Sequence, residues 1–339
     1  MEKYYHFAGV NLVVSMPEDR MYDDDRNLAA FRIEDVNDTE QMQSPFQIEN
    51  MNDTEQIQRS NLSLNRHHFN FEVFDTLEPP DAEEVGVFPG FRVYAHQDAG
   101  DNEFGNDTTD ADTIAIDTTL RYIGSVQNSW EPAYIRVKHC GNQHEVQLKS
   151  SQFPDKIGVK TVLTSLGAEH LVVEAGGFIF HSSYIEWDGK AILFTAPSET
   201  GKSTQADLWH ELRGAQIING DRSAIRVVDG EVLAAGIPFA GSSQYCKNRT
   251  LPLAAIVYLQ QAPVTSIYRL KGIRAFRCIW EGISVNTWDK RDVEQVSGLV
   301  QQVIDQVPVY QLACTPDESA VNALEQMLEI QDQDGVKNI

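Results

Sequence analysis

Hydrophobic and polar residues alternate over short runs in the first half of the chain, which is the period-two pattern of half-buried strands. A run at 4–15 is followed by five more at 67–77, 90–96, 119–126, 133–139 and 144–150. The breaks between them contain Pro, Gly, Asn and Asp, the residues typical of turns. Residues 1–150 are therefore predicted to form an antiparallel, β-rich N-terminal domain.

The pattern changes after Pro154, where strands begin to alternate with helical segments. A helix is predicted to close at Gly176, and two apolar strands flank Asp188-Gly189, a dipeptide typical of two-residue hairpin turns. Further helices are predicted near 202–212, 291–306 and 316–329, a buried central strand at 251–262, and shorter strands at 215–218, 224–228 and 231–235. Residues 155–331 are therefore predicted to form a second domain, of the α/β class.

The net charge of −23 over 339 residues is concentrated in two segments, because 17–60 and 98–117 together carry −15 of it. Neither segment has helical or strand periodicity, and 17–64 and 98–117 are predicted to be mobile acidic insertions. The first contains a repeat, IEDVNDTEQMQ and IENMNDTEQIQ. A solvated insertion is favoured for it, with an interaction motif as the alternative. No concentrated basic face for nucleic acid or an anionic membrane is indicated.

The four cysteines lie far apart and form no CxxC pair, so neither a zinc knuckle nor a disulfide framework is indicated. No stretch approaches the roughly 20 apolar residues of a membrane span. The N-terminus has no basic flank and no small-residue cleavage site typical of a signal peptide. A cytoplasmic location is expected, with no membrane partner.

The segment FTAPSETGKSTQADLW, residues 194–209, joins a predicted strand to a predicted helix and resembles a phosphate-binding loop. Gly201, Lys202 and Ser203 match the end of G-x-x-x-x-G-K-[ST], whereas Ala196 replaces its first glycine. In such loops, N–H groups at a helix N-terminus bind an anion. ATP and Mg²⁺ are therefore the predicted ligands, and an ordinary capped helix is the alternative. The residues predicted to contact the nucleotide here are Ser198, Glu199, Thr200, Gly201, Lys202, Ser203 and Thr204.

A carboxylate follows the loop at the end of another apolar run, where Asp221 stands in AQIINGDRSAI. An acid at the carboxyl end of a strand beside the loop is placed to hold a metal or to take the substrate's proton. Ser203 and Asp221 are therefore the predicted metal ligands. An Asp in an ordinary turn after Gly220 is the alternative.

A polar loop at 238–253 contains two serines, Lys247 and Arg249 between apolar strands. Such a composition suits contacts with a terminal phosphate or with the phosphate acceptor. Arg249 is therefore predicted to contact the nucleotide, and an exposed connection without a special role is the alternative.

The order of hairpin strands, phosphate loop, helix, strand and Asp221 over about 177–261 resembles the C-terminal domain of HPr kinase/phosphorylase and its relatives. These share a core with phosphoenolpyruvate carboxykinases. Members commonly have a Gly-x-Ser-Gly-x-Gly-Lys loop, which Ser198, Gly201 and Lys202 match and which Ala196 and Glu199 do not. The resemblance implies a P-loop kinase-like α/β domain after the β-rich domain, and makes a homo-oligomer conceivable.

The resemblance also implies a reaction, the ATP-dependent phosphorylation of a Ser or Thr hydroxyl of a protein or peptide substrate. It places His181 near the transferred phosphoryl group, so that Asp221, His181 and Lys202 are the catalytic candidates. Two departures favour another function, a nucleotide-binding scaffold or switch with little or no transfer. Glu199 would set a carboxylate close to bound phosphates, and the paired aspartates of the family are reduced to one, Asp221.

Overall fold

The computed structural model describes residues 1–33, 66–95, 118–124, 129–241 and 244–336. The chain divides into two compact units. One contains Met1–Tyr5, Asn11–Asp23 and Ile33–Leu166, and the other contains His6–Val10, Asp24–Arg32 and Gly167–Ile339. The second unit therefore begins later than the predicted start at 155 and includes two short N-terminal segments. No helix in the described part of the chain is long and apolar enough to cross a membrane.

A nine-stranded sheet dominates the first unit. Its strands are β1 Glu2–Phe7, β2 Val10–Ser15, β3 Arg32–Ile33, β4 Arg66–Phe74, β5 Glu83–Phe88, β6 Phe91–Ala95, β7 Thr118–Ile123, β8 Ile135–Cys140 and β9 Gln143–Lys149, in the order β3-β1-β2-β4-β9-β8-β7-β6-β5. The predicted antiparallel pairing is confirmed from β6 to β9, and β5, which was not predicted, pairs antiparallel with β6. It is wrong for β4, which is parallel to both β2 and β9. The long connections on either side of β4 permit this, because parallel neighbours need a crossover of about a dozen residues or more.

The start of the first predicted insertion is ordered structure. Residues 17–33 contain the 3-10 helix Glu18–Arg20 and the short helix α1, Arg26–Ala29. The side chain of Asp25 caps α1, and Leu28 and Phe31 are buried. The prediction of a mobile insertion is therefore wrong for this part, because two apolar side chains are enough to anchor it. The rest of that insertion, with its repeat, and the second insertion at 98–117 lie outside the described residues.

Helices and a ten-stranded sheet follow. The helices are α2 Val159–Ser165, α3 Ala168–Glu174, α4 Lys202–Arg213, α5 Ile273–Trp280, α6 Lys290–Gln306 and α7 Glu318–Val336. The strands are β10 Gly177–His181, β11 Ser183–Trp187, β12 Lys190–Thr195, β13 Gln216–Asn219, β14 Arg222–Val228, β15 Glu231–Gly236, β16 Thr250–Gln261, β17 Ser266–Leu270, β18 Ile283–Ser284 and β19 Val309–Cys314. The order is β13-β11-β12-β16-β15-β14-β10-β18, with β19 pairing β16 and β17. The chain is thus mixed α/β with two large sheets.

Turn residues explain most of these boundaries. The predicted hairpin between β11 and β12 is confirmed, since Asp188 and Gly189 both have positive φ, as a two-residue turn of this kind requires. The predicted helix ending at Gly176 is two helices, α2 and α3, because Gly167 between them is left-handed at φ 62°. The helix predicted after the phosphate loop is confirmed as α4.

The strand before the phosphate loop is buried on both faces. On one face, Ile192 and Phe194 of β12 belong to a core that includes Trp209 of α4. On the other face, Leu193 belongs to a core that includes Val300 of α6. Because β12 also lies between β11 and β16, the loop at its carboxyl end starts from a fixed base.

Candidate functional site

The loop 196–201 connects β12 to α4, as the sequence predicts. Gly201 has φ 118°, a conformation that favours glycine, although a side chain would meet nothing within 4 Å there. Ala196 has a negative φ and is buried, so alanine replaces the usual glycine without strain. Among the residues that the structure describes, no side chain caps the N-terminus of α4, which leaves the N–H groups of its first turn able to bind an anion.

Glu199 is the strained residue of the loop. Its φ is 63°, in the left-handed region that a non-glycine residue adopts only at a cost. The side chain is exposed, and its residue lines the cavity described below. Glycine would adopt this conformation without strain, whereas Glu199 does not.

Lys202 is folded back onto the loop that precedes it. Its Nζ donates to the carbonyl oxygens of Ala196, at 3.0 Å, and Pro197, at 3.4 Å. The residue is only 9% exposed. Burial lowers the pKa of Lys202, and the negative charge of Asp221 opposes that shift. The ammonium group is thus held at the loop while it is influenced by the carboxylate of Asp221.

His181, at the end of β10, donates from Nε2 to Oδ1 of Asp221 over 2.9 Å. This hydrogen bond lowers the pKa of Asp221, and although burial opposes the shift, the positive charges of Arg222 and Lys202 add to it. The two side chains are 36% and 32% exposed, so solvent or a ligand can reach the pair. An ionised carboxylate beside an imidazole can hold a cation or accept a proton.

A buried amide holds the turn that carries Asp221. Asn219 is fully buried, and its Oδ1 accepts from the backbone N–H groups of Asp221, at 2.9 Å, and Arg222, at 3.0 Å. Its Nδ2 donates to the carbonyl oxygen of Ile237 over 3.0 Å. Gly241 lies with Ile237 in the connection between β15 and β16. It approaches Asp221 so closely that a Cβ added to Gly241 would lie 2.7 Å from the side chain of Asp221. Sequence reasoning missed both residues, although an Asn two positions before Asp221 is a turn signal.

The backbone of His181 is fixed from two sides. Its N–H donates to the carbonyl oxygen of Gly282 over 2.7 Å, and its carbonyl oxygen accepts from the hydroxyl of Thr195 over 3.0 Å. A side chain at position 282 would clash with Phe180 at 2.6 Å. The loop, through Thr195, and the histidine are therefore connected directly. No sequence signal indicated Gly282.

A cavity of about 340 Å³ joins the loop to the pair. Its lining comprises His181, Ser198, Glu199, Gly201, Lys202, Ser203, Thr204, Gly220 and Asp221. All three predicted catalytic residues and both predicted metal ligands are in this set. Thr200 is not in it and donates its N–H to the carbonyl oxygen of Pro197.

Arg249 lies elsewhere. Its guanidinium pairs with Glu186 of β11 at 2.7 Å. The residue directly precedes β16, which is parallel to β12, so Arg249 is at the amino end of these strands whereas the loop is at the carboxyl end. The structure thus does not bring Arg249 to the cavity, and its local partner explains its charge.

The residues present fit a nucleotide phosphate with Mg²⁺. The uncapped N-terminus of α4 and the ammonium group of Lys202 suit phosphate oxygens. The exposed hydroxyl of Ser203 and the ionised carboxylate of Asp221 are oxygen ligands of the kind Mg²⁺ takes alongside water and phosphate.

The comparisons with known proteins give little further information. No family model and no curated protein matches the chain. Among solved structures, it is similar to the Hpr(Ser) kinase/phosphatase from Coxiella burnetii, with 12% sequence identity and a TM-score of 0.30 over 47% of this chain and 96% of that one. The TM-score is too low for this similarity to support an assignment.

Proposed function

We propose that the chain is an ATP-dependent phosphotransferase that acts on a Ser or Thr hydroxyl of a protein or peptide. The main support is the single cavity shared by the uncapped helix N-terminus with Lys202 and by the His181–Asp221 pair. An anion-binding loop alone would fit any nucleotide-binding protein. A proton-accepting pair in the same cavity adds what a transfer reaction requires.

The loop and Lys202 would position the phosphates. Backbone N–H groups of the first turn of α4 donate to phosphate oxygens, and Lys202 exchanges its contacts with Ala196 and Pro197 for them. Ser203 and Asp221 would hold Mg²⁺, which neutralises phosphate charge when bound. Most of the rate then comes from position and charge, since phosphoryl transfer needs little covalent chemistry from the protein.

The His181–Asp221 pair would receive the proton of the acceptor. The acceptor oxygen bonds to the terminal phosphorus, the bond from phosphorus to the bridging oxygen breaks, and ADP leaves. Because Nε2 of His181 donates to Asp221, the lone pair of the neutral ring is on Nδ1. Either that nitrogen or the carboxylate of Asp221 accepts the hydroxyl proton.

A second candidate is a nucleotide-binding scaffold or switch without transfer. Glu199 supports it, because this exposed carboxylate lines the cavity and would repel the phosphates. In this alternative the loop and Lys202 keep their binding roles, and the His181–Asp221 pair only shapes the site.

The test is transfer of labelled γ-phosphate from ATP with Mg²⁺ to a set of Ser- and Thr-containing peptides and to extract proteins. The wild type should label an acceptor, and Lys202→Ala should reduce labelling on the order of 100-fold or more. The matched control is Lys290→Ala, an 88% exposed lysine on α6 that should label normally.

Three outcomes separate the candidates. Labelling that survives Lys202→Ala contradicts a phosphotransferase acting at this loop. Stabilisation of the wild type by ATP in a thermal-shift assay, without labelling of any acceptor, favours the scaffold. Absence of stabilisation by any nucleotide contradicts both.

A further inference from the structure

One surface of the second unit is exposed, basic and apolar at once. Residues 262–280 contain four cations and no acidic residue, in a chain whose net charge is −23. We call it the 264–277 surface. Its members are the exposed apolar side chains of Val264, Tyr268 and Ile273, at 74%, 45% and 80% exposure, and the cations Lys271, Arg274 and Arg277. Arg269 follows Tyr268 in β17 and therefore points to the opposite face of the strand.

The 264–277 surface also includes an open strand edge and two cations without an ion-pair partner among the described residues. Within the described residues β17 pairs with β19 on one edge and with no strand on the other, so that N–H and C=O groups are open there. Arg274 and Arg277, three residues apart on α5, share one helix face. Arg277 pairs with Glu281 at 2.8 Å, whereas Lys271 and Arg274 have no ion-pair partner in the part of the chain that the structure describes.

The chain leads from this surface towards the candidate site. Helix α5 begins at Ile273 and ends at Trp280, two residues before Gly282, whose carbonyl oxygen accepts the N–H of His181. At a rise of about 1.5 Å per residue, the distance from Ile273 to Gly282 is roughly 14 Å. About four residues of extended peptide, at roughly 3.3 Å each, cover that distance.

We propose that the 264–277 surface docks an acidic, extended segment of the phosphate acceptor. Docking there sets a Ser or Thr about four residues away, at the His181–Asp221 pair. The cations attract and orient carboxylates, the open edge of β17 pairs with an extended backbone, and the apolar side chains add contact area. The assignment of the docked segment to an acceptor rests on the proposed function. The binding of an acidic peptide does not.

Binding is tested first, without catalysis. The probe is a fluorescein-labelled peptide, Glu-Glu-Leu-Glu-Gly-Gly-Gly-Ser, with a matched peptide in which Lys replaces each Glu. The full chain should bind the acidic peptide, more weakly as salt rises. Any binding of the basic peptide, which a net charge of −23 favours elsewhere on the chain, should not weaken in the surface variant that follows. The double variant Lys271→Glu with Arg274→Glu should weaken binding by tenfold or more. A double variant with the same charge change at exposed lysines, Lys160→Glu with Lys290→Glu, should not.

Several results overturn the docking surface. If both double variants weaken peptide binding equally, the binding depends only on the net charge of the chain. Equally tight binding of a single-stranded 20-nucleotide thymidine oligomer shows an unselective anion surface. Binding of the peptide only after deletion of 98–117 assigns the surface to the chain's own acidic segment.

Catalysis is tested second, with peptides whose Ser lies two, four or eight residues from the acidic run. We expect the highest kcat/KM at about four, and we expect Lys271→Glu with Arg274→Glu to raise KM while kcat changes little. Equal rates for acidic and neutral peptides overturn the acceptor role. Peptide binding that the surface variant abolishes, together with no transfer by the wild type, upholds the docking surface and counts against the proposed function alone.

Discussion

Two histidine–aspartate pairs in the second unit have the same length and different surroundings. His181 and Asp221 are 2.9 Å apart beside the phosphate loop, and His170 and Asp292 are 2.9 Å apart between α3 and α6. The two imidazoles are about equally exposed, at 36% and 39%. The carboxylates differ, because the side chain of Asp221 is 32% exposed and that of Asp292 only 3%.

The surroundings shift a pKa in each pair. At the loop, the hydrogen bond from His181 lowers the pKa of Asp221, a carboxylate that solvent already reaches. In the other pair, burial opposes the charge of His170, but the hydrogen bond and the charge of the buried Asp292 outweigh it and raise the pKa of His170. A buried carboxylate needs a nearby cation, and His170 supplies it for Asp292. The His170–Asp292 pair therefore connects α3 to α6, whereas the His181–Asp221 pair is open to a ligand.

Replacing Asp221, the half-buried carboxylate of the loop pair, should have the largest effect on activity. We expect Asp221→Asn to reduce the proposed phosphate transfer on the order of 100-fold or more, because it removes both the proposed metal ligand and the charge that orients His181. Its effect on stability should be small. Transfer assays with urea unfolding check this, with Asp305→Asn, an exposed carboxylate on α6, as the control. A stable variant with normal transfer would exclude Asp221 from the reaction.

Replacing Asp292, the buried carboxylate, should lower stability and leave phosphate transfer unchanged. We expect Asp292→Asn to lower the free energy of unfolding by about 1–3 kcal/mol, because the hydrogen bonds of Asp292 with His170 and Asn286 are altered in a buried place. Asp305→Asn again serves as the control, with little change. Urea unfolding measures both variants. A loss of transfer at unchanged stability would instead assign the buried pair to the reaction.

Glu199 is a third carboxylate to compare with Asp221 and Asp292, and it has no histidine partner. Glu199 lines the same cavity and has no ion-pair partner among the described residues. We expect Glu199→Gly to stabilise the protein by up to about 1 kcal/mol, since it relieves the strain at φ 63°, and to bind ATP several-fold more tightly.

The variant Glu199→Ala separates charge from strain in that experiment. Alanine removes the carboxylate but keeps the strained backbone, so ATP affinity should rise as for glycine and stability should not. Thermal unfolding and ATP titration measure the two effects. Weaker ATP binding in both variants would show that Glu199 contributes a contact to the bound nucleotide.

The smallest expected effect is the change with pH in the contribution of His170 to the free energy of unfolding. Because the pKa of His170 is raised on folding, its contribution is fully present below the unfolded value of about 6.5 and is lost as pH rises through the folded pKa. The stability difference between wild type and His170→Gln should therefore shrink from pH 5.5 to pH 8.5. Urea unfolding at both values measures it, and a difference that grows with pH would contradict the ion pair.

The sequence analysis named both residues of the first pair, without predicting their contact, and neither residue of the second. Asp221 was predicted from its place after the loop and His181 from the family resemblance. His170 and Asp292 belong to no pattern, and only the packing of α3 against α6 brings them together. Arg249 was wrongly predicted to contact the nucleotide, because the prediction rested on the polar composition of its loop. Its ion pair with Glu186 could not be read from the sequence.

Strand periodicity and turn residues predicted most strands of both sheets and some antiparallel neighbours, but not the parallel ones. The parallel pairing of β4 depends on long connections, which periodicity does not report. Strand β17 and helix α5 were not predicted, because both are short and lie in a segment without clear alternation. The acidic composition of 17–33 concealed the anchoring of Leu28 and Phe31 in the same way.

Strand β16 has a consequence for amide hydrogen exchange. It pairs with β12 along one edge from Leu253 to Tyr258, and along the other edge first with β15 and then, from Ile256, with β19. Each central amide of β16 donates to one neighbour only, but β12 and β19 are themselves paired on their far edges, with β11 and β17, so neither can leave β16 by simple fraying. Deuterium should therefore enter around Val257 only when the whole unit opens, and its rate of entry reports the global stability of the structure that carries the loop.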